Sequence, residues 1–157
     1  MVFFVDLNPL EPSYLTNRAA SYMALKRFRP ALEDCQTAST LQSASPSAKT
    51  LLRLAKCQLA TGSSSPALST IRSLFAIEPK NPQAVLLRDK IQQLESHIKT
   101  FEQAREKKDL GLARLALDKC LQAIEGEGGD VPAEWRYWRI ELELSKGNWE
   151  AANISAK

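Results

Sequence analysis

The feature of this sequence that most constrains its fold is a pair of alanines twelve residues apart, which occurs three times. The pairs are Ala19 with Ala31, Ala55 with Ala67, and Ala104 with Ala116. Each pair lies in a similar frame: an amphipathic stretch, a short turn and a second amphipathic stretch. Two antiparallel helices approach closely where both carry small side chains, so each frame predicts a helical hairpin. Because one hairpin cannot bury its apolar face alone, successive hairpins are expected to stack.

Turn and cap signals divide the chain into four predicted hairpins, the last of them truncated. These cover about residues 12–43, 46–79, 82–126 and 131–157. The sequence therefore predicts one all-α domain over residues 1–157, a right-handed superhelical solenoid of antiparallel helix pairs. The third hairpin is expected to begin with a long helix from Pro82 to Lys107 or Lys108. Apolar residues follow it at alternating spacings of three and four: Ala84, Leu87, Ile91, Leu94, Ile98 and Phe101.

This apolar stripe has two interpretations. It suits packing against neighbouring hairpins, and it also suits the seam of a dimeric coiled coil. The stripe lasts under three heptads and Arg105 interrupts it, which favours packing inside a monomer.

Composition excludes several classes of protein. The 157 residues carry a net charge of +3, too small and too dispersed to indicate nucleic-acid binding. Apolar runs are too short to cross a bilayer, and the N-terminus lacks the basic start of a secretory signal. Cys35, Cys57 and Cys120 form no CxxC motif, and their odd number argues against a disulfide framework. These features predict a cytoplasmic protein, with the nucleus possible, whose cysteines are buried between helices.

Chemistry-bearing residues are sparse. His97 has no second histidine or acidic cluster beside it, so no metal or cofactor site is predicted. The glycine-rich segment at 126–129 lacks the Gly-Lys-Ser/Thr of a phosphate-binding loop. With one histidine, no nucleophile and base can be paired, and no catalytic residue is assigned. Trp135, Tyr137 and Trp138 either form a peptide-binding patch or, as their spacing favours, pack against the preceding hairpin.

Small and aromatic residues recur at the offsets of the tetratricopeptide repeat, which this chain resembles over residues 12–157. The match is good in YLTNRAASYMALKRFRPALEDCQTAS, fair in LLRLAKCQLATGSSSPALSTIRSLFAIEP, and weaker in FEQAREKKDLGLARLALDKCLQA. The last repeat has Ile140 where the family has a small residue. The order of segments is similar to the middle of fungal-type tetratricopeptide co-chaperones that end in a J domain. A J domain needs His-Pro-Asp, and His97 is followed by Ile98, so no J domain is present in these residues.

The segment KTLLR places Lys49 and Arg53 four residues apart, on one face of a predicted helix. Like charges at this spacing cost a helix about 0.2–0.5 kcal/mol, and an anion bound between them would offset the repulsion. Arg53→Ala is therefore expected to stabilise the unliganded fold slightly, unless the lost packing of its side chain outweighs the relief. The other interpretation is an ordinary cationic surface without a partner.

The family resemblance gives these cations a role. It implies that Asn17, Lys49 and Arg53 are three ligands of a carboxylate clamp. In the family that clamp holds the C-terminal Glu-Glu-Val-Asp of heat-shock chaperones, and Arg can bind a carboxylate through two N–H groups. The family's other two ligands, a Lys and an Asn, belong to a preceding repeat that is expected to be missing here. The alternative function is a scaffold subunit that binds partners through aromatic and apolar surfaces, with no chaperone link.

Overall fold

In a computed structural model of the protein, the described residues are 11–155, and the described side chains are those of residues 11–147. Over that range the chain forms seven α-helices and no strand. They are α1 Pro12–Ala24, α2 Phe28–Leu41, α3 Ala48–Ala60, α4 Ser64–Ile77, α5 Pro82–Glu106, α6 Leu110–Glu125 and α7 Ala133–Ser155. Each helix packs against the next one along the chain. The predicted all-α, helical-repeat architecture is confirmed. The predicted domain also includes residues 1–10, 156 and 157, which lie outside the described residues.

Three helices begin at polar caps that their sequence supplies. The side chains of Ser47, Asn81 and Asp109 accept hydrogen bonds from the backbone N–H three residues on, at 3.4, 3.0 and 3.1 Å. Such caps satisfy one of the backbone donors that a helix start leaves unpaired. Pro12 and Pro82 occupy the first turns of α1 and α5, where the missing N–H costs nothing. The short turns between these helices therefore follow from local chemistry.

The predicted helix crossings of the first two hairpins are fully buried. Ala19, Ala31, Ala55 and Ala67 are each 0% exposed. Two apolar clusters meet around α3. The larger one draws on α3 to α7, and the smaller one joins α1, α2 and α3 through Ala19, Phe28, Ala31, Cys35, Leu54 and Cys57.

The apolar stripe of α5 packs within the chain. All of its members except the half-buried Ile98 lie buried in the larger cluster. Intramolecular packing thus accounts for the whole stripe, as the sequence favoured, and no seam is left for a coiled-coil partner.

The third hairpin differs in register from the first two. In those hairpins the paired alanines stand five residues before the end of the first helix and three residues into the second. The same places in α5 and α6 are taken by Phe101 and Ala113, and both are buried. The predicted equivalence of Ala104 and Ala116 is therefore wrong by three residues. A large side chain, Phe101, thus takes the place of one alanine at this crossing. The ring of Phe101 also packs against the ring of Trp138 in α7, with the two centroids 5.0 Å apart.

The loop between α6 and α7 folds back over the earlier hairpins. The N–H of Asp130 donates to the carbonyl of Ala60 at 2.8 Å. The carboxylate of Asp130 accepts from Arg29 of α2 at 2.6 Å and from Arg136 of α7 at 2.8 Å. The hydrogen bond from Arg29, with the charge of Arg136, holds the pKa of Asp130 below its usual range. One short loop thus ties the third hairpin to both of the others.

Candidate peptide-binding site

Arg53 of α3 reaches across to α1. Its Nη1 donates a hydrogen bond of 2.7 Å to the backbone carbonyl of Thr16, the residue directly before Asn17. The side chain of Arg53 is half-buried, whereas Asn17 and Lys49 are exposed. Lys49 stands one turn before Arg53 on α3. Helices α1 and α3 are in contact, and Arg53 crosses the line where they meet to reach the backbone of Thr16. This line, with its three polar residues, is called the α1–α3 seam below.

The seam carries uncompensated positive charge. Within residues 11–147, no carboxylate lies within ion-pair distance of Lys49 or Arg53. The neighbouring Arg18 is different, because its Nε and Nη2 bind the two carboxylate oxygens of Asp34 at 2.8 and 2.7 Å. That hydrogen-bonded pair raises the pKa of Arg18 and cancels its charge. Among the described side chains, an anion arriving at the seam would therefore meet two cations without carboxylate partners and one exposed amide.

The bond from Arg53 to Thr16 bears on the expected effect of Arg53→Ala on stability. Relief of the repulsion between Lys49 and Arg53 was expected to make Arg53→Ala slightly stabilising. The substitution would remove this hydrogen bond, which is worth about 0.5–1.5 kcal/mol, although the Thr16 carbonyl keeps its helical bond from the N–H of Ala20. This cost exceeds the helix repulsion of about 0.2–0.5 kcal/mol. We therefore predict that Arg53→Ala destabilises the fold, which is the exception that the sequence-based expectation allowed for lost side-chain contacts.

Two contributors to this surface were not found from the sequence. Arg18 and Asp34 stand sixteen residues apart on facing helices, a separation that matches no local pairing rule. The acceptor for Arg53 is a backbone carbonyl, which carries no residue-type signal. The paired alanines that align α1 with α2 could have indicated that the side chains of Arg18 and Asp34 face each other.

The tryptophans are largely packed. Trp135 is buried, and Trp138 is half-buried between Phe101 and Arg105, whose guanidinium lies 4.6 Å from its ring centroid. Packing against the preceding hairpin, which the sequence favoured, holds for both. Tyr137 points away from them and is 65% exposed. A peptide-binding patch made of all three rings is thus not present.

The thiols are placed as core side chains. Cys35, Cys57 and Cys120 are all buried, as expected. Burial raises the pKa of Cys120 to about 12, and a hydrogen bond with Cys35, together with burial, raises that of Cys57. Among the described residues, no three His, Cys, Asp or Glu side chains come together as a metal site would need. In the same part of the chain, no helix is long and apolar enough to cross a membrane.

Comparison with known proteins finds similarity to two DnaJ homologs. The chain is 30% identical over 118 residues to DnaJ homolog subfamily C member 7 of Homo sapiens, and equally to that of Mus musculus. The match covers 75% of this chain and 24% of each relative, so the chain spans about a quarter of their length. No family model matches, and no solved structure shows significant similarity. The DnaJ name of the relatives agrees with the resemblance noted from the repeats.

Proposed function

We propose that this chain is a protein-binding module of a co-chaperone. In this proposal the α1–α3 seam holds the acidic C-terminal tail of a heat-shock chaperone. Asn17 donates from its amide, Lys49 supplies a point charge, and Arg53 binds a carboxylate with the N–H groups that Thr16 leaves available. The single observation that carries the proposal is the hydrogen bond from Arg53 to Thr16, because it joins the helix of Lys49 and Arg53 to the residue directly before Asn17.

The charge pattern supports an anionic ligand. Both cations at the seam lack carboxylate partners among the described side chains, while Arg18 beside them is neutralised. Similarity to DnaJ homologs supports the chaperone context. The proposal contains no catalytic step. The buried, high-pKa thiols Cys57 and Cys120 offer no activated nucleophile.

The test is a calorimetric titration with the peptide Glu-Glu-Val-Asp, as free acid and as C-terminal amide. Three ligands predict weak binding of the free acid, with a Kd from high micromolar to millimolar, or about 4–6 kcal/mol. Arg53→Ala is expected to weaken binding about threefold to tenfold, and the exposed Lys49→Ala about twofold to fivefold. Arg72→Ala is the matched control, since Arg72 is exposed on α4 away from the seam.

Two results would refute tail binding at the seam. One is equal affinity for free acid and amide, because a clamp recognises the terminal carboxylate. The other is an Arg53→Ala protein that binds as Arg72→Ala does. Unfolding midpoints of each variant, measured beside the titrations, separate lost binding from lost folding.

A second candidate function rests on α7. Tyr137, Ile140 and Leu144 follow one another at helical spacing and are 65%, 59% and 64% exposed. This apolar stripe favours the scaffold alternative, in which a partner docks on α7. Salt discriminates between the two functions. Raising salt from 0.1 to 1 M shortens the Debye length from about 10 to about 3 Å and weakens tail binding, while apolar docking persists.

A further inference from the structure

A second concave surface lies at the opposite end of α1 and α3 from Lys49. It is a cavity of about 360 Å³ bounded by the last turns of α1 and α3, the first half of α5 and the end of α6. Its floor consists of Leu59, Leu87 and Ile124, each 9% exposed or less, with Met23 at one side. This surface is called the lysine pocket below, after the residues of its rim.

Three lysines from three different helical segments surround the apolar floor. Lys26 follows α1, Lys56 is on α3 and Lys90 is on α5, and all three are exposed. Lys90 Nζ lies 2.7 Å from a carboxylate oxygen of Glu127 in the α6–α7 loop. In the described part of the chain, Lys56 has no carboxylate within ion-pair distance. The rim therefore keeps a net positive charge over a floor made of hydrocarbon.

Lys26 holds its place at a conformational cost. Its φ is +60°, in the left-handed region that side chains other than glycine seldom occupy. The stem lies against Gly128, and the ammonium is 6.0 Å from the ring centroid of Phe28. The turn and the loop thus direct this ammonium toward the pocket.

Glu127 indicates what the pocket accepts. It is a carboxylate of this chain that already pairs with one rim lysine, and both partners are more than half exposed. Exposed ion pairs contribute about 0–1 kcal/mol, so an incoming carboxylate can replace Glu127 at little cost. The apolar floor beneath favours a ligand that brings a hydrocarbon side chain as well as negative charge.

We propose that the lysine pocket binds an acidic peptide segment with a central apolar side chain. The apolar side chain would cover Leu59 and Leu87, and flanking carboxylates would pair with Lys56 and Lys90 as Glu127 leaves. This goes beyond the tail binding proposed above, since none of these residues belongs to the seam. It also requires no C-terminal carboxylate, because the charges that pair with the lysines are side-chain carboxylates.

The probe is the peptide Asp-Glu-Leu-Glu-Asp, acetylated and amidated so that it carries no terminal charge, titrated into the whole chain. Lys56→Gln is expected to raise its Kd about twofold to fivefold, the effect of one exposed ion pair. Glu127→Gln is expected to lower the Kd about twofold or more, because it removes the internal competitor. Lys99→Gln, an exposed lysine of α5 outside the pocket, is the matched control and should change nothing. Replacing the peptide's Leu by Ser should weaken binding about fivefold or more.

Each contrary result overturns the proposal in a distinct way. No binding at millimolar peptide, or equal Kd values for Lys56→Gln and Lys99→Gln, means that the rim does not bind. Equal binding of the Leu and Ser peptides, or of a single-stranded oligonucleotide of the same charge, means a general anion surface. If Arg53→Ala weakens this amidated peptide, the ligand occupies the seam instead. Loss of free-acid tail binding alone refutes only the function proposed above.

Discussion

The substitution Gly129→Ala tests the way the α6–α7 loop holds the hairpins together. A Cβ at this position would stand 2.5 Å from the carbonyl oxygen of Ala60 and 2.6 Å from a methyl carbon of Ile124. A further contact, at 2.9 Å, would be with the carbonyl oxygen of Ile124. Two of these atoms belong to the backbone, so no change of rotamer relieves the overlap. The loop must move away from both neighbours.

The cost of that movement follows from what the loop contacts. Lifting it breaks the hydrogen bonds from Gly129 to Ile124 at 2.9 Å and from Asp130 to Ala60 at 2.8 Å. Each is worth about 0.5–1.5 kcal/mol, and Val131, now 1% exposed, loses part of its burial. We therefore expect the free energy of unfolding to fall by about 2–4 kcal/mol. For a chain of this length, that lowers Tm by about 4–16 °C.

Chemical and thermal unfolding followed by circular dichroism measure this effect. Gly147→Ala is the matched control, because nothing lies within 4 Å of its added Cβ. It sits inside α7, where alanine should be neutral or stabilise by up to about 1 kcal/mol. Equal midpoints for Gly129→Ala and Gly147→Ala would refute the docked loop and the contacts assigned to it.

Four further predictions concern stability. Ala31→Leu should lower the free energy of unfolding by about 1–3 kcal/mol through overpacking at a 0% exposed helix crossing, and an unchanged urea midpoint would contradict this. Lys108→Gly should raise the free energy of unfolding by about 0.5–1 kcal/mol, because Lys108 has a φ of +57°, which glycine adopts without strain. A lower midpoint in urea would argue against backbone strain at Lys108. The ion pairs of Asp130 stabilise the fold at pH values above the pKa of about 3.9 that its carboxyl has in the unfolded chain. This stabilisation is lost as the pH falls through the lower pKa of Asp130 in the folded protein. The unfolding midpoints of wild type and Asp130→Asn should therefore differ at pH 7 and converge near pH 2. Arg53→Ala should lower the midpoint while Lys49→Ala leaves it unchanged or slightly higher, and equal shifts would mean that the bond to Thr16 contributes nothing.

Much of the first two hairpins could be predicted from sequence because the determinants are local. The small residue at each crossing and the cap that Ser47 supplies to α3 act within a few residues of chain. The third hairpin was misaligned because Ala104 and Ala116 repeat the twelve-residue spacing by themselves. What decides the register there is the place of the turn and the contact of Phe101 with α7, and neither is a local property.

The α6–α7 loop shows the same limit for long-range contacts. Its glycines lack the neighbouring residues that a phosphate-binding loop requires. They serve the backbone instead, because Gly128 has a φ of +80° and Gly129 allows the loop backbone to approach Ala60 closely. A cluster of glycines indicates close approach of something, but the partner lies in another hairpin. The lysine pocket was missed for this reason, because Lys26, Lys56 and Lys90 come together only after the loop has closed one side of it.

Arg53 is expected to contribute both to the stability of the fold and to the proposed binding at the α1–α3 seam. Its bond to Thr16 fixes one edge of the guanidinium to α1 before any ligand arrives, so less side-chain freedom is lost on binding. The same bond makes the residue part of the contact between the first two hairpins. A loss of affinity in Arg53→Ala therefore contains a folding contribution, which Lys49→Ala does not share. If seam binding is real, Lys49→Ala weakens the free-acid peptide with no loss of stability. If Lys49 takes no part in binding, Lys49→Ala leaves the affinity for the free-acid peptide unchanged, and only the relief of its repulsion with Arg53 can alter stability.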